Sequence, residues 1–275
     1  MAYKRILTMQ DISCVGQCSM TVAMPILSAC GHETCILPTA VLSTHTGGFG
    51  KPAVIHLDSH MSQMREHWKQ NGITFDAILV GYLGSIGAIR AAEEIIAELL
   101  APGGVAIVDP AMADHGKLYS GFDSAYAEAM KELCRKADII LPNITEAAYF
   151  AGIEYRDALD KTYVNRLLTS LDNPRVVLTG AGFEPGMTGV AVREGERCFH
   201  YAHKLVGKSC HGTGDMFAAA FTGALMHGKT MAESVKIASD FVVKAIEKTV
   251  EAPAHWYGVK FEPVLPELIR MMAEN

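Results

Sequence analysis

Disulfide chemistry is the first thing this chain does without: its seven cysteines are odd in number, and no two of them form a CxxC pair. Such a set is no disulfide framework, and Cys14/Cys18 and Cys30/Cys35 read as small buried hydrophobes rather than ligands. There is no run of Lys or Arg, and the formal net charge is -6. That balance argues against nucleic acid and acidic membrane surfaces as main partners and leaves small molecules as the expected ones. No apolar stretch approaches bilayer length, and the basic start over residues 1–9 is too short for a signal peptide, so the expected location is the cytoplasm. Eleven histidines contain no HExxH, and His56 and His60, at helical spacing, read as surface or capping residues. Low-complexity linkers, internal repeats and composition breaks are also missing, which makes residues 1–275 one expected domain. What remains is 49% hydrophobic with a mean hydropathy of +0.17, enough to bury a large core.

Short β-branched runs alternate with amphipathic helical stretches. Residues 5–9, 34–37, 77–80, 105–108, 138–141 and 175–178 are compact apolar segments of strand length, continuous enough to be buried on both faces. Between them, residues 20–29, 59–70, 86–100, 124–135, 146–151 and 158–171 read as helices. Residues 186–194 and 197–203 flank a Glu-Gly turn and read as an antiparallel hairpin, followed by long helices over 213–226 and 231–248. This regular alternation predicts an α/β fold, a doubly wound and mostly parallel sheet flanked by helices.

The run Cys210-His211-Gly212-Thr213-Gly214-Asp215 is followed at once by an apolar helix. A Gly-Thr-Gly turn there leaves backbone N–H groups bare and aims the positive end of a helix dipole outward, with Asp215 in the first turn. Glycines let phosphate oxygens come close, and a carboxylate at that spot can take a proton from a hydroxyl that attacks phosphorus. A bare GxGD is as readily a plain turn with an acid that complements the dipole. Just past the predicted strand ends stand Gln10-Asp11, Gly81-Tyr82, Asp109-Pro110, Asn143 with Glu146, and Thr179-Gly180, where open α/β sheets bind ligands. Asp109 and Glu146 suit Mg²⁺, held largely through water. Singly, each has a plainer reading: Asn143 and Thr145 as helix caps, Asp109 before Pro110 as the start of a turn.

Two motif matches are set aside. Gly223 to Thr230 satisfies the P-loop pattern GxxxxGK[ST], but it follows a helix rather than a strand; Gly228 suits a helix end, and Thr230-Met231-Ala232-Glu233 forms a capping box for the next helix. Asn143-Ile144-Thr145 fits a glycosylation acceptor, which a cytosolic protein does not use.

Several segments resemble, in order and spacing, the pyridoxal kinases of the ribokinase superfamily. They are the GTGD turn, Gly81-Tyr82-Leu83-Gly84, Asp109 to Asp114 with Gly116-Lys117-Leu118-Tyr119, the stretch from Ala137 to Glu146, and Leu42-Ser43-Thr44-His45-Thr46-Gly47. The similarity spans nearly the whole chain. It implies a ribokinase-like fold and ATP-dependent phosphorylation of the 5′-hydroxymethyl group of pyridoxal, pyridoxine or pyridoxamine, with Asp215 as the base. By the same resemblance, Gly212, Thr213 and Gly214 hold the transferring phosphate, Asn143, Thr179 and Gly180 contact ATP, and Asp109 and Glu146 organise Mg²⁺. The pyridine ring lies near Asp11, Thr46 and Tyr82, residues 111–121 correspond to a flap, and K⁺ and a homodimer are implied.

The chain departs from that pattern in places. Many pyridoxal kinases carry Ser-His where Asp11-Ile12 stands, and Gly47-Gly48-Phe49 replaces bulkier loop residues. The related hydroxymethylpyrimidine kinases tend to show Cys at the position of Asp215, where the acid is retained, while Cys210 reads as a loop thiol and orienting a phosphate is only the lesser reading of His211. Three readings follow: a B6-vitamer kinase, a kinase acting on another hydroxymethyl compound such as a pyrimidine or a sugar, and a non-catalytic nucleotide- or vitamer-binding regulator.

Overall fold

The computed structural model describes residues 3–207, 210–252 and 254–274, so the first two residues of the basic start lie outside it. Its first half runs β1 (Arg5–Ser13), α1 (Met20–Ala29), β2 (Glu33–Leu42), β3 (Val54–His56), α2 (Asp58–Gln70), β4 (Phe75–Val80), α3 (Ile86–Leu99) and β5 (Leu100–Val108). A small hairpin, β6 (Ala113–Asp114) and β7 (Lys117–Leu118), leads to α4 (Ser124–Lys136), β8 (Ile139–Ile140), α5 (Ile144–Ala151), α6 (Lys161–Ser170) and β9 (Arg175–Thr179). The chain closes with β10 (Met187–Glu194), β11 (Arg197–Lys204), α7 (Thr213–Met226), α8 (Met231–Val250) and α9 (Leu265–Ala273).

Nine strands form one sheet in the order β11-β10-β9-β8-β5-β4-β1-β2-β3. The six from β9 to β2 are parallel, and the antiparallel partners sit at the edges: β10 and β11 on one side, β3 on the other. Side chains of a strand alternate between faces. Thus Ile6, Ala77, Leu79, Ile107 and Val177 join α1, α7, α8 and α9 on one side, while Leu7, Met9, Ile78, Val80, Val108 and Leu178 join α2 to α6 on the other. Burial on both faces is why the parallel strands read as continuous apolar runs. From β1 the chain moves outward to β2 and then returns to β4 on the opposite flank, so the winding direction reverses between β1 and β4. Open sheets of this kind have their ligand crevice at that reversal, outside the carboxyl ends of the strands.

Helix starts are set by local chemistry. Ser85, Asp123 and Asp160 each accept a hydrogen bond from a backbone N–H of the turn they precede, and Thr230 and Glu233 form the reciprocal capping box. The P-loop match falls apart accordingly: Gly223 lies inside α7, Gly228 takes φ 97° just beyond it, and the Lys229 amino group meets the Glu274 carbonyl.

Some expectations need correction. β1 does not end at residue 9 but continues to Ser13 through a register shift between Gln10 and Ile12, so Gln10 and Asp11 lie inside the strand rather than past it. Leu100 opens β5 instead of closing a helix. Of the cysteines read as buried, Cys30 is, Cys18 and Cys35 are half-buried, and Cys14 is exposed. β3 and the β6–β7 hairpin are too short to carry a period that can be read in advance; α9, although amphipathic, is not among the expected helices. Among the described residues, no helix is long and apolar enough to cross a membrane.

α7 is buried along most of its length, and Gly223 in its last turn lets the end of α1 come close: a Cβ on Gly223 would sit 2.7 Å from Cys30 Cβ. Replacing Gly223 by Ala gains about 1 kcal/mol of helix propensity. It also overpacks the contact, at a cost of roughly 1–3 kcal/mol. Gly223→Ala is therefore expected to lower the melting temperature; an unchanged or higher value would show that α1 and α7 have room to separate.

Candidate active site

The residues given a site role from the sequence line one cavity of about 680 Å³: Asp11, Thr46, Tyr82, Asp109, Asn143, Glu146, Thr179, Gly180 and the run from Gly212 to Asp215; Gln10, Gly81 and Pro110, also named at strand ends, do not. The sheet explains the convergence. Asp11 comes from the last part of β1, Tyr82 follows β4, Asp109 follows β5, Asn143 follows β8 and Thr179 ends β9, all at carboxyl ends on the crevice side. Thr46 reaches the cavity from the loop after β2, and α7 brings its N-terminus to it.

At that N-terminus Gly212 holds φ 85°, ψ 0°, and a Cβ there would collide with the Gln17 carbonyl. Only glycine meets both demands. Three residues on, Asp215 stands half-buried in the first turn of α7. Burial first, and neighbouring Asp11 to a smaller degree, push its carboxyl up to about 6, while the Ser19 N–H holds it down. Asp109 faces this turn, its Oδ2 lying 4.0 Å from where a Cβ on Gly214 would be. Burial raises the Asp109 carboxyl well above the usual range, and the charges of Glu146 and Asp215 add to the rise.

Glu146 and Asn143 are strongly engaged with the backbone. Glu146 Oε1 accepts N–H bonds from Met112 at 2.8 Å and Ala113 at 3.4 Å, and Oε2 accepts one from Asn143 at 2.9 Å. Asn143 Oδ1 accepts from the Glu146 N–H at 3.0 Å, completing a capping box, and its Nδ2 donates to the Ala113 carbonyl at 2.7 Å. These bonds tie the turn after Asp109 to the start of α5. Burial still raises the Glu146 carboxyl to about 7, against the pull of its three N–H partners. Thr179 pairs with Asn143 in a parallel bridge, which continues the β8–β9 edge into the cavity wall.

On the β1 side, Asp11 is buried, and Ser13 donates to its Oδ2 at 2.9 Å. Burial raises the Asp11 carboxyl, and the hydroxyls of Ser19 and Ser13 oppose the rise. The Tyr82 ring stacks on Phe122 at 5.5 Å, and its hydroxyl is raised by burial and then by Asp11. His211 packs against the His45 ring at 4.7 Å, and burial followed by His45 lowers its proton affinity. Cys18 also lines the cavity, its thiol pushed up to about 12 by burial and then by Asp215. The expected flap contains the β6–β7 hairpin, from which Asp114, His115 and Tyr119 reach the cavity.

Ser13, Ser19, His203 and Ser239 are cavity residues that were not named from the sequence; Cys18, read as a small hydrophobe, and His45, read only as part of a family segment, line the cavity too. Ser13 had no signal: the strand was expected to end at residue 9, and only its continuation puts Ser13 beside Asp11. Ser19, His203 and Ser239 had none, because only the folded chain carries α1, β11 and α8 to the site.

Comparison with known proteins follows the same line. Residues 25–259 match the family described as phosphomethylpyrimidine kinase. The pyridoxal kinase of Lactobacillus plantarum is 31% identical, and its crystal structure matches with a TM-score of 0.89 over 98% of each chain. A candidate phosphomethylpyrimidine kinase from Bacteroides thetaiotaomicron, in its orthorhombic form with pyridoxal, is 30% identical with a TM-score of 0.91, covering 99% of this chain and 96% of its own. The pyridoxine/pyridoxal/pyridoxamine kinase of Bordetella bronchiseptica is 27% identical over 259 residues, 90% of each chain.

Asn143 offers a check on this geometry without any ligand. Asn143→Ala removes a cap worth about 0.5–2 kcal/mol and leaves the Ala113 carbonyl without its donor. The nucleotide-free variant should melt at a lower temperature than the parent; an unchanged melting temperature would show that the amide is not engaged with the backbone.

Proposed function

The chain belongs to the phosphomethylpyrimidine kinase family, and from that premise we propose that this ATP-dependent phosphotransferase acts on the 5′-hydroxymethyl group of a vitamin B6 vitamer: pyridoxal, pyridoxine or pyridoxamine. The observation that carries the reading is the joining in one cavity of the turn Gly212 to Asp215 with Asp11, Thr46 and Tyr82 from the β1/β4 side and Asn143, Thr179 and Gly180 from the β8/β9 side. Support comes from the relatives: the Lactobacillus plantarum protein is a pyridoxal kinase, and the Bacteroides thetaiotaomicron one was crystallised with pyridoxal.

In this reading the vitamer ring rests against Asp11, Thr46 and Tyr82 with its hydroxymethyl group toward Asp215. The Asp215 carboxylate takes the hydroxyl proton as the oxygen bonds to the γ-phosphorus and the bond from that phosphorus to the ADP oxygen breaks. The N–H groups of Thr213 and Gly214, with the dipole of the α7 N-terminus, offset the charge on the transferring group. Asn143, Thr179 and Gly180 position the nucleotide phosphates.

A divalent cation fits these residues. Asp11, Asp109, Asp114, Glu146 and Asp215 line the cavity, and no described lining residue is Lys or Arg. Among the described residues no three His, Cys, Asp or Glu side chains converge as a ligand set, which suits Mg²⁺, an ion usually held by one or two carboxylates together with substrate phosphates and water. Asp109 would hold it, with Glu146 acting from behind through the backbone it anchors. Bound there, Mg²⁺ would neutralise phosphate charge. The reading also includes K⁺ as a second cation and a homodimer as the assembly. A hydroxymethylpyrimidine as substrate is the second reading, favoured by the description of the matching family.

Asp215→Asn is expected to keep nucleotide and vitamer binding while lowering turnover by about 10²- to 10⁴-fold. The ionised form is the base, and burial raises this carboxyl to about 6, so parental kcat/KM should climb with pH through about 6 and the variant should lack that limb. Near-normal turnover in the variant would remove Asp215 from the role.

Substrate choice is read by a side-by-side ATP-consumption assay of pyridoxal, pyridoxine, pyridoxamine, hydroxymethylpyrimidine and ribose with Mg²⁺ and K⁺. A B6 vitamer should be used best. An ionised Asp11 can pair with the amine that only pyridoxamine carries at its 4-position, so pyridoxamine should be used at least as well as pyridoxal. A pyrimidine or ribose that outpaces all three vitamers would overturn the reading.

A further inference from the structure

His45 stands where segments without regular structure meet beside the cavity. It lies in the loop after β2, directly before Thr46, and is buried. The Gly47 N–H donates to its Nδ1 at 3.0 Å, and only a ring nitrogen without hydrogen can accept. The ring hydrogen is thereby assigned to Nε2, which donates to the Tyr257 carbonyl at 2.8 Å, 212 residues along the chain. Both ring nitrogens are thus spent on backbone, and neither is left for a ligand, although the residue lines the cavity. The ring is confined on its other sides as well. Phe49 meets it at 5.0 Å and His211 at 4.7 Å between centroids, and Gly16 leaves the room it needs, since a Cβ there would lie 2.1 Å from His45 Cδ2. Gly47 does the same for His211: a Cβ on it would lie 2.3 Å from His211 Cε1. Residues 255–258 are themselves anchored, because Gly258 bridges Gln17, His255 Nε2 lies 2.9 Å from Gln17 Oε1, and Trp256 packs on Phe49 at 4.7 Å.

We propose that His45 is a positioning residue that ties the loop carrying Thr46 to residues 255–258 and, through its ring face, fixes His211 and with it the start of the turn from Gly212 to Asp215. The inference rests on the reading above that puts the hydroxymethyl substrate against Thr46 and the transferring phosphate at that turn. Residues 43–50 and 255–258 are irregular, and among the described residues no strand pairing joins them. One side chain bonded at both ends sets their spacing instead. A side chain that merely filled this space would need no nitrogen, and that is what separates the role from ordinary packing.

Three substitutions test the proposal. His45→Phe keeps a ring and removes both nitrogens. The expected result is a KM for the hydroxymethyl substrate raised about 10-fold and a kcat lowered about 10- to 100-fold, the scale of a small misplacement of reacting groups. The KM for ATP should stay within about twofold, since Asn143, Thr179 and Gly180 stand on other strands. His45→Asn puts an amide oxygen near the place of Nδ1 and keeps the local bond to Gly47, whereas His45→Gln reaches the Tyr257 carbonyl with its amide N–H. Because the long-range bond is the one that joins two segments, His45→Gln should stay within about threefold of the parent and His45→Asn should behave like His45→Phe. The Asn and Gln variants keep the test open even where the Phe variant does not fold. Parental kinetics in His45→Phe, an Asn variant as good as or better than the Gln variant, or a loss of kcat that merely follows the melting temperature would overturn the proposal. The ratio of variant to parent is taken on whichever hydroxymethyl compound the parent phosphorylates. A parent that prefers a pyrimidine thus refutes the vitamer assignment and leaves the role of His45 to be judged by its own ratio.

Discussion

Charge balance in the cavity is the constraint on which the rest depends. Five acids line it, Asp11, Asp109, Asp114, Glu146 and Asp215, and no Lys or Arg does so among the described residues. Among the described lining residues, positive potential is supplied by backbone N–H groups and by the dipole of α7. Gly212 with its positive φ, the close approach of Gln17 to it and the burial of α7 fix the helix N-terminus at the cavity wall.

The acids themselves are tuned by where the fold buries them. Asp215 stands in the first turn of a buried helix and is raised to about 6, close to the point at which a carboxylate is both available and basic enough to accept a proton near neutral pH. Glu146, fully enclosed, is raised to about 7 although three N–H groups point at it. Its position explains why it matters: the turn after Asp109 and the start of α5 are joined through its two oxygens. A role on the nucleotide side and a role in holding the wall are therefore compatible in one residue, and the same is true of Asn143.

A parallel sheet with a reversal between β1 and β4 gathers these residues from loops far apart in the chain. The two faces are filled differently, α1, α7, α8 and α9 on one side and α2 to α6 on the other, and the crevice is bounded by the strand ends and by helix starts from both layers, α7 on one side and α5 on the other. Ser19, just before α1, lines the same cavity as Asp11 from β1 and Asp215 from α7.

Much of this was legible in advance. Apolar runs buried on both faces announce parallel strands, and residues placed after them, such as Tyr82, Asp109, Asn143 and Thr179, reach the cavity because strand order and strand ends follow from that pattern. The capping chemistry at Thr230 and Glu233 settled the false P-loop from residue types alone. Other features were decided only by the fold. β1 runs on to Ser13 through a bulge, which no periodicity marks; Glu146 becomes an anchor because Met112 and Ala113 fold back to it; Ser19 takes a backbone that its side chain disfavours. Local propensity and pattern determine which segments become strands and helices and which residues end at their tips. Burial, close approach and strain arise between segments distant in sequence, and so only the tertiary structure decides what those residues do there.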